Sequence, residues 1–300
     1  MRVVVIGQSG QVAQALHERG AALGEQVICL GRPIVDLARQ DDLRPVLAAR
    51  EPDVVINAAA YTAVDRAEAE PELARAVNGT GAGRLAAASS SMGVPFVHLS
   101  TDYVFDGLAA RPYVETDEVS PINAYGRSKL AGEREVHAQT SDHAILRMAW
   151  VYSPFGTNFV KTMLRLAESR DEVPVVADQV GSPTSALDAA DAIIRVARNM
   201  VARPAEPDLR GTFHLAGEGD ATWADVAEEI FAESALRGGP NARVRRITTT
   251  EYPTPAARPA NSRLNCSRLA QIHGVTLPPW RASVRGCVRR LRTTAAMVDG

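Results

Sequence analysis

The feature that most constrains the fold is the first turn of the chain. Val3 to Ile6 is an unbroken apolar run, Gly7-Gln8-Ser9-Gly10 follows, and a helical pattern runs from about Gln11 to Ala22. A strand that is apolar at every position is buried on both faces, which is the habit of parallel sheets. The same alternation continues downstream. Val27 to Leu30, Val54 to Ile56, Pro95 to Leu99 and Ile145 to Met148 read as further strands. Between them, Leu37 to Ala49, with Asp36 as its N-cap, and Glu72 to Ser90 read as helices. Strand–helix alternation of this kind closes only as right-handed βαβ units. The expected fold is therefore α/β, a doubly wound parallel sheet of the Rossmann type with a smaller C-terminal substrate lobe.

The second half is less regular. Val180-Gly181-Ser182-Pro183 and Gly217-Glu218-Gly219-Asp220 read as turn clusters, and Pro253 and Pro255, between Tyr252 and Arg258, exclude a helix there. A helix from Ala186 to Asn199 is expected to return to the first domain. The division drawn is 1–154 for a dinucleotide-binding domain, with a returning segment near 186–216, and 155–300 mainly for the substrate lobe.

Composition narrows the function classes. A net charge of −2 offers no basic footprint for nucleic acid. No apolar run approaches the roughly 18 residues of a membrane span, and the N-terminal one is too short for a signal peptide. Cys29, Cys266 and Cys287 have neither disulfide-framework nor zinc spacing, so a reducing cytoplasm is expected.

The Gly7–Gly10 turn sits where a dinucleotide fold places its pyrophosphate, with free N–H groups and positive dipole at the helix start. Its spacing is Gly-x-x-Gly-x-x-Ala, so alone it is also the pattern of an ordinary strand–helix turn. Where the second strand ends, an acid normally holds the adenine ribose of NAD. Here Leu30-Gly31-Arg32 stands instead. A guanidinium suits a 2′-phosphate, so NADPH is the expected cofactor, with NADH as the other choice.

Tyr125-Gly126-Arg127-Ser128-Lys129 puts a phenol and an ammonium four apart, on one helix face. An ammonium nearby is expected to lower the phenol's pKa, and such a pair suits a carbonyl reductase: hydride from the cofactor to carbon, proton from tyrosine to oxygen. Only two of the 33 basic residues are lysines, Lys129 and Lys161, against six tyrosines. About 0.04 such pairs are expected by chance, so the spacing is informative. Upstream, Ser100-Thr101-Asp102 closes the fourth strand, at the end where doubly wound sheets bind ligands. Thr101 is taken as the third catalytic residue; a turn or cap is its plain alternative.

These stretches resemble the extended short-chain dehydrogenase/reductases, and within them the dTDP-4-dehydrorhamnose reductase branch. The resemblance also rests on residues 55–65, Trp150-Val151-Tyr152, 158–164, 178–184 and 258–264. It implies that Gly7, Gly10, Gln11 and Val12 approach the pyrophosphate and that Asp36 and Leu37 flank the adenine. Ala60, Tyr61 and Thr62 would line the cofactor, and Lys129 would hold its ribose. Thr101, Asp102, Trp150, Arg258 and Asn261 would meet a dTDP-sugar. Some such enzymes are magnesium-bridged dimers built on glutamates of two helices. The matching positions here are Ala15 and Leu187, so no metal is expected, and a homodimer stays open. A dehydratase would need an acid pair after the threonine, yet Tyr103 follows Asp102. An epimerase would retain its NAD, and the fold also occurs in the regulatory subunit of a methionine adenosyltransferase.

Overall fold

The computed structural model describes residues 1–39 and 42–298. The first half runs β1 (Arg2–Ile6), α1 (Gln11–Ala22), β2 (Gln26–Leu30), α2 (Arg44–Ala48), β3 (Val54–Asn57), α3 (Val64–Ala69), α4 (Pro71–Arg75), α5 (Gly81–Ser91), β4 (Phe96–Thr101), α6 (Ala124–Gln139) and β5 (His143–Met148). The second half runs β6 (Val151–Tyr152), α7 (Phe159–Ala167), β7 (Glu172–Val176), β8 (Val180–Gly181), β9 (Thr184–Ser185), α8 (Ala186–Ala202), β10 (Gly211–His214), β11 (Ala221–Thr222), α9 (Trp223–Ala235), β12 (Arg243–Ile247), β13 (Asn261–Ser262), α10 (Ser267–His273) and α11 (Trp280–Val298).

Six strands form one parallel sheet in the order β10-β5-β4-β3-β1-β2. Alternation along β1 explains its two covered faces. Val3 and Val5 pack with α1 and α8, while Val4 and Ile6 pack with Leu85 and Ala86 of α5 and Val136 of α6. The chain order reverses between β1 and β3, which opens the ligand crevice at their carboxyl ends. A separate core joins α7, α9 and α11 around Val160, Ile230 and Val288 and backs the β7–β12 pair.

The structure departs from the sequence expectations in five places. Of the helix expected over Leu37–Ala49, whose positions 40 and 41 lie outside the described residues, the described part is helical only over Arg44–Ala48, because Pro45 lacks the N–H an interior residue must donate and belongs in a first turn. Asp36 therefore caps no helix; its Oδ1 accepts from Ala38 N at 3.0 Å in a turn. The long helix expected over Glu72–Ser90 contains a π-helical turn at Ala76–Thr80. The fourth strand extends through Ser100 and Thr101, and part of the Val180–Pro183 turn cluster is strand β8. β10, which sequence patterning did not single out, completes the sheet edge beside β5. Among the described residues, no helix is long and apolar enough to cross a membrane.

Candidate active site

The glycine turn is built for something to lie against it. Gly7 has φ +127°, and a Cβ there would meet the backbone of Ala58, at the end of β3, at 3.1 Å. Only glycine accepts both that conformation and that approach. Gly10 is the N-cap of α1, carries no side chain to cap it, and has nothing within 4 Å of a would-be Cβ. The first N–H groups of α1 thus face open space with the positive end of the helix dipole, which fits a pyrophosphate. Gln11 is turned the other way. Its Oε1 accepts from Ser153 Oγ at 2.8 Å and Asn158 Nδ2 at 3.0 Å, tying the turn to the loop after β6. Val12 packs under the sheet.

The other expected cofactor residues surround this turn. Arg32 is exposed just after β2, and among the described residues no ion pair holds it. The Leu37 side chain is buried in the core, and its carbonyl accepts from Arg84. Ala60, Tyr61 and Thr62 form the loop after β3. Asn78, in the π-helical turn, clamps that loop: its Oδ1 accepts from Tyr61 N at 2.8 Å and its Nδ2 donates to Tyr61 O at 3.0 Å. The same Nδ2 reaches Ser128 Oγ on α6 at 2.8 Å. The Tyr61 hydroxyl donates to Glu70 at 2.6 Å. Asn78 carried no motif signal; the extra residue of the π turn is what aims it, and such turns recur at functional sites.

Thr101, Asp102, Tyr125 and Lys129 come together at the carboxyl end of β4. Asn123 caps α6, accepting from Gly126 N at 2.7 Å, which sets Tyr125 in the first helical turn. A Cβ on Gly126 would lie 2.1 Å from Tyr103 O, and one on Gly132 would lie 2.0 Å from Asn78 O. Glycine at both positions lets α6 settle close enough for the phenol to reach Thr101. The Thr101 hydroxyl donates to Asp102 Oδ1 at 2.9 Å and accepts from Tyr103 N at 3.2 Å, so it caps a turn and also faces the site. Asp102 is 3% exposed, and its Oδ2 is buried without a hydrogen-bond partner. Burial pushes this carboxyl up to about 6, against the hydroxyls of Ser262 and Thr101 that favour its charged form.

The phenol behaves differently from the sequence expectation. Burial, with the Asp102 carboxylate, pushes Tyr125 up to about 12, and the Thr101 hydroxyl only partly offsets this. Lys129 does not lower it, because the ammonium is spent elsewhere: Nζ donates to Leu99 O at 2.6 Å. Lys129 itself is buried and drawn down to about 8 by desolvation, with Glu133 opposing. Tyr125 is therefore held firmly protonated, which is the state a proton donor needs.

Packing fixes the surroundings of three of the expected substrate residues. Trp150, at φ +47°, stacks on Trp223 with ring centroids 3.6 Å apart, and a Cβ on Gly181 would meet the same indole at 2.4 Å. Nothing fits between rings that close, and Gly181 covers the opposite face of the Trp150 indole. The Asn261 side chain is fully engaged: Nδ2 donates to Ala109 O and Arg111 O, and Oδ1 accepts from Arg263. Arg258 pairs with Asp65 at 2.9 Å. Both tie down the segment after Pro255. Trp223, which donates to Gln179 at 3.2 Å, was missed because a lone Trp in an apolar helix reads as core. At the positions discussed for a metal, Ala15 is buried and Leu187 packs on the same core, while Arg19 and Asp191 link α1 to α8.

A doubly wound sheet, an open glycine turn and a buried Thr–Tyr–Lys set at the end of β4 define a dinucleotide-dependent reductase of the extended short-chain type. Residues 1–293 match the family model described as the RmlD substrate binding domain. The chain is 49% identical over 288 residues to a dTDP-4-dehydrorhamnose reductase of Sinorhizobium fredii, covering 96% of this chain and 97% of that one. Among solved structures it is similar to the Clostridium acetobutylicum dTDP-4-dehydrorhamnose reductase, with TM-score 0.89, 37% identity, and 97% and 100% of the two chains covered. It is similar also to the Bacillus anthracis enzyme solved in complex with NADP, with TM-score 0.88, 33% identity, and 96% and 99% covered. The chain belongs to the dTDP-4-dehydrorhamnose reductase family.

Proposed function

We propose that the chain reduces the C4 ketone of dTDP-4-dehydro-β-L-rhamnose to dTDP-β-L-rhamnose, the last step of dTDP-L-rhamnose biosynthesis. NADPH is the preferred hydride source and NADH the secondary one. The observation that carries this reading is the convergence of Thr101, Tyr125 and Lys129, in a member of this family, at the sheet end that faces the glycine turn.

The dinucleotide is assigned to residues 1–154 with the returning segment near 186–216, and the nucleotide-sugar mainly to 155–300. When bound, the cofactor supplies the hydride to the carbonyl carbon. Thr101 and Tyr125 hold the carbonyl oxygen, and Tyr125 gives it a proton. A phenol near 12 is a weak acid, but the alkoxide that forms is a stronger base than the phenolate left behind, so the transfer runs downhill. Lys129, anchored on Leu99 O by its ammonium, holds the cofactor ribose from the same helix face. The unpartnered Oδ2 of Asp102 accepts from a sugar hydroxyl, and the edge of Trp150 bounds the ring. Arg32 reads the 2′-phosphate. A cytoplasmic site of action fits such an enzyme.

The test is to generate the keto-sugar in situ and follow NADPH absorbance with the purified protein. Oxidation that depends on the keto-sugar, with dTDP-rhamnose as product by NMR, is expected. A protein that purifies with stoichiometric NAD and leaves added NADPH untouched overturns the reading in favour of an epimerase.

A further inference from the structure

The Tyr125–Lys129 helix carries one more buried charge on the same face. Glu133 stands one turn beyond Lys129 on α6 and is 2% exposed. Its carboxylate accepts from Ser100 Oγ at 2.5 Å and from Arg147 Nε and Nη2 at 2.9 and 2.7 Å. Ser100 lies on β4 between Leu99, whose carbonyl receives Lys129, and Thr101. Arg147 is the β5 register partner of Ser100, and its guanidinium lies 5.1 Å from the Phe105 ring, just beyond the Thr101–Asp102 turn. One carboxylate thus joins the helix of Tyr125 and Lys129 to the strand of Thr101 and to that strand's neighbour.

A buried ion pair is a poor source of stability, because desolvation offsets most of its attraction and an apolar pair of equal volume packs as well. What it supplies that an apolar pair does not is direction and charge. The guanidinium fork fixes the carboxylate in one orientation. The carboxylate, one helical turn from Lys129, favours the ammonium over the amine.

We propose that Glu133 is a positioning residue for the reduction: braced by Arg147 and Ser100, it fixes α6 against β4 and keeps Lys129 charged. The proposal rests on the reading of Tyr125 and Lys129 as the reacting pair. The groups around Lys129 leave its own titration distinguishable. On α6 itself stand Glu133 and Tyr125, the latter pushed up to about 12. From β4 comes His98, driven well below its ordinary value by burial and so neutral at working pH. The turn after β4 presents Asp102, near 6. From β5 come Arg147, behind Glu133, and His143, whose pKa burial lowers. The helices packed on the other side of α6 bring Glu68, bonded to Ala124 N, Glu70, bonded to Tyr61, and Arg84, turned to Leu37 O. Glu133 is the charge that opposes the desolvation of Lys129 and leaves it near 8. The ammonium is present below that pH and lost above it, so the alkaline limb of kcat/KM belongs to Lys129.

The experiment is the pH profile of kcat/KM for keto-sugar reduction in wild type, Glu133→Gln, Glu133→Asp and the double variant Glu133→Gln/Arg147→Met. Glu133→Gln alone strands a buried guanidinium, so the double variant, which removes both charges together, carries the test. The expected result is a downward shift of the alkaline limb by about one pH unit in the double variant. Glu133→Asp, which keeps the charge on a shorter arm, is expected to leave the limb in place while kcat falls. An unmoved limb in a folded, active double variant overturns the proposal and leaves Glu133 a structural brace. Full turnover in Tyr125→Phe would instead overturn the reading of the site on which it rests.

Discussion

The cofactor turn and the proton-donor cluster lie on the same sheet but are held by opposite means. Around Gly7 and Gly10 the working groups are backbone N–H donors, made available by the absence of side chains, and the space before α1 is open. Around Tyr125 the working groups are side chains, each buried and fixed by others: Asn123 caps the helix, Asn78 and Glu133 tie it to its neighbours, and Leu99 holds the ammonium. The first region is open and polar. The second is filled and fixed. Substitutions should therefore fail differently in the two regions: affinity is lost at the turn and turnover at the cluster.

The largest effect is expected from Tyr125→Phe. It removes the proton and leaves the fold and the turn alone, so kcat should fall by about 10³-fold with cofactor affinity unchanged, as steady-state kinetics and cofactor titration would report. A large loss of cofactor affinity would break the division. Gly126→Ala comes next. Its methyl would have to displace Tyr103 O, a backbone atom, so α6 must back away from the turn after β4. A displacement of that kind costs on the order of 10² in kcat, with a lowered Tm. Gly10→Asp sharpens the contrast from the other side. The site is open and the N-cap lacks a side chain, so aspartate should raise apo stability by a few tenths of a kcal/mol in thermal unfolding. The same charge repels a pyrophosphate and should raise KM for NADPH about tenfold, with kcat nearly unchanged. Smallest is Arg32→Asp, expected to lower the NADPH-to-NADH efficiency ratio about tenfold through loss of one charge-assisted contact. An unchanged ratio would remove Arg32 from the cofactor site.

The same contrast explains what was legible in the sequence. The parallel sheet was readable because Val3–Ile6 and Val54–Ile56 are apolar at every position, and the glycine turn because it interrupts them. The Tyr125–Lys129 pair was readable because lysine is nearly absent, which turns a common spacing into an improbable one. The crosslinks were not. Glu133 and Arg147 are fourteen apart on a helix and a strand, and nothing local distinguishes a buried Arg–Glu pair from a solvated one in a chain this rich in arginine. Asn78 depends on a π turn that periodicity smooths into an ordinary helix. The sign of the Tyr125 shift was also hidden. Spacing places the ammonium on the right face, but only the fold shows Nζ bonded to Leu99 O and the phenol buried beside a carboxylate. The aromatic pair of Trp150 and Trp223 joins two stretches far apart in the chain, so the first reads as a sugar platform and the second as core until they are stacked.

The most direct test of the reduction is to follow the hydride itself. The protein would be given NADPH carrying deuterium at the transferable position of the nicotinamide, together with keto-sugar generated in situ, and the product read by NMR. The account predicts one deuterium at C4 of the product sugar and one equivalent of oxidised cofactor per turnover. Deuterium retained in the cofactor while the sugar is converted would contradict it.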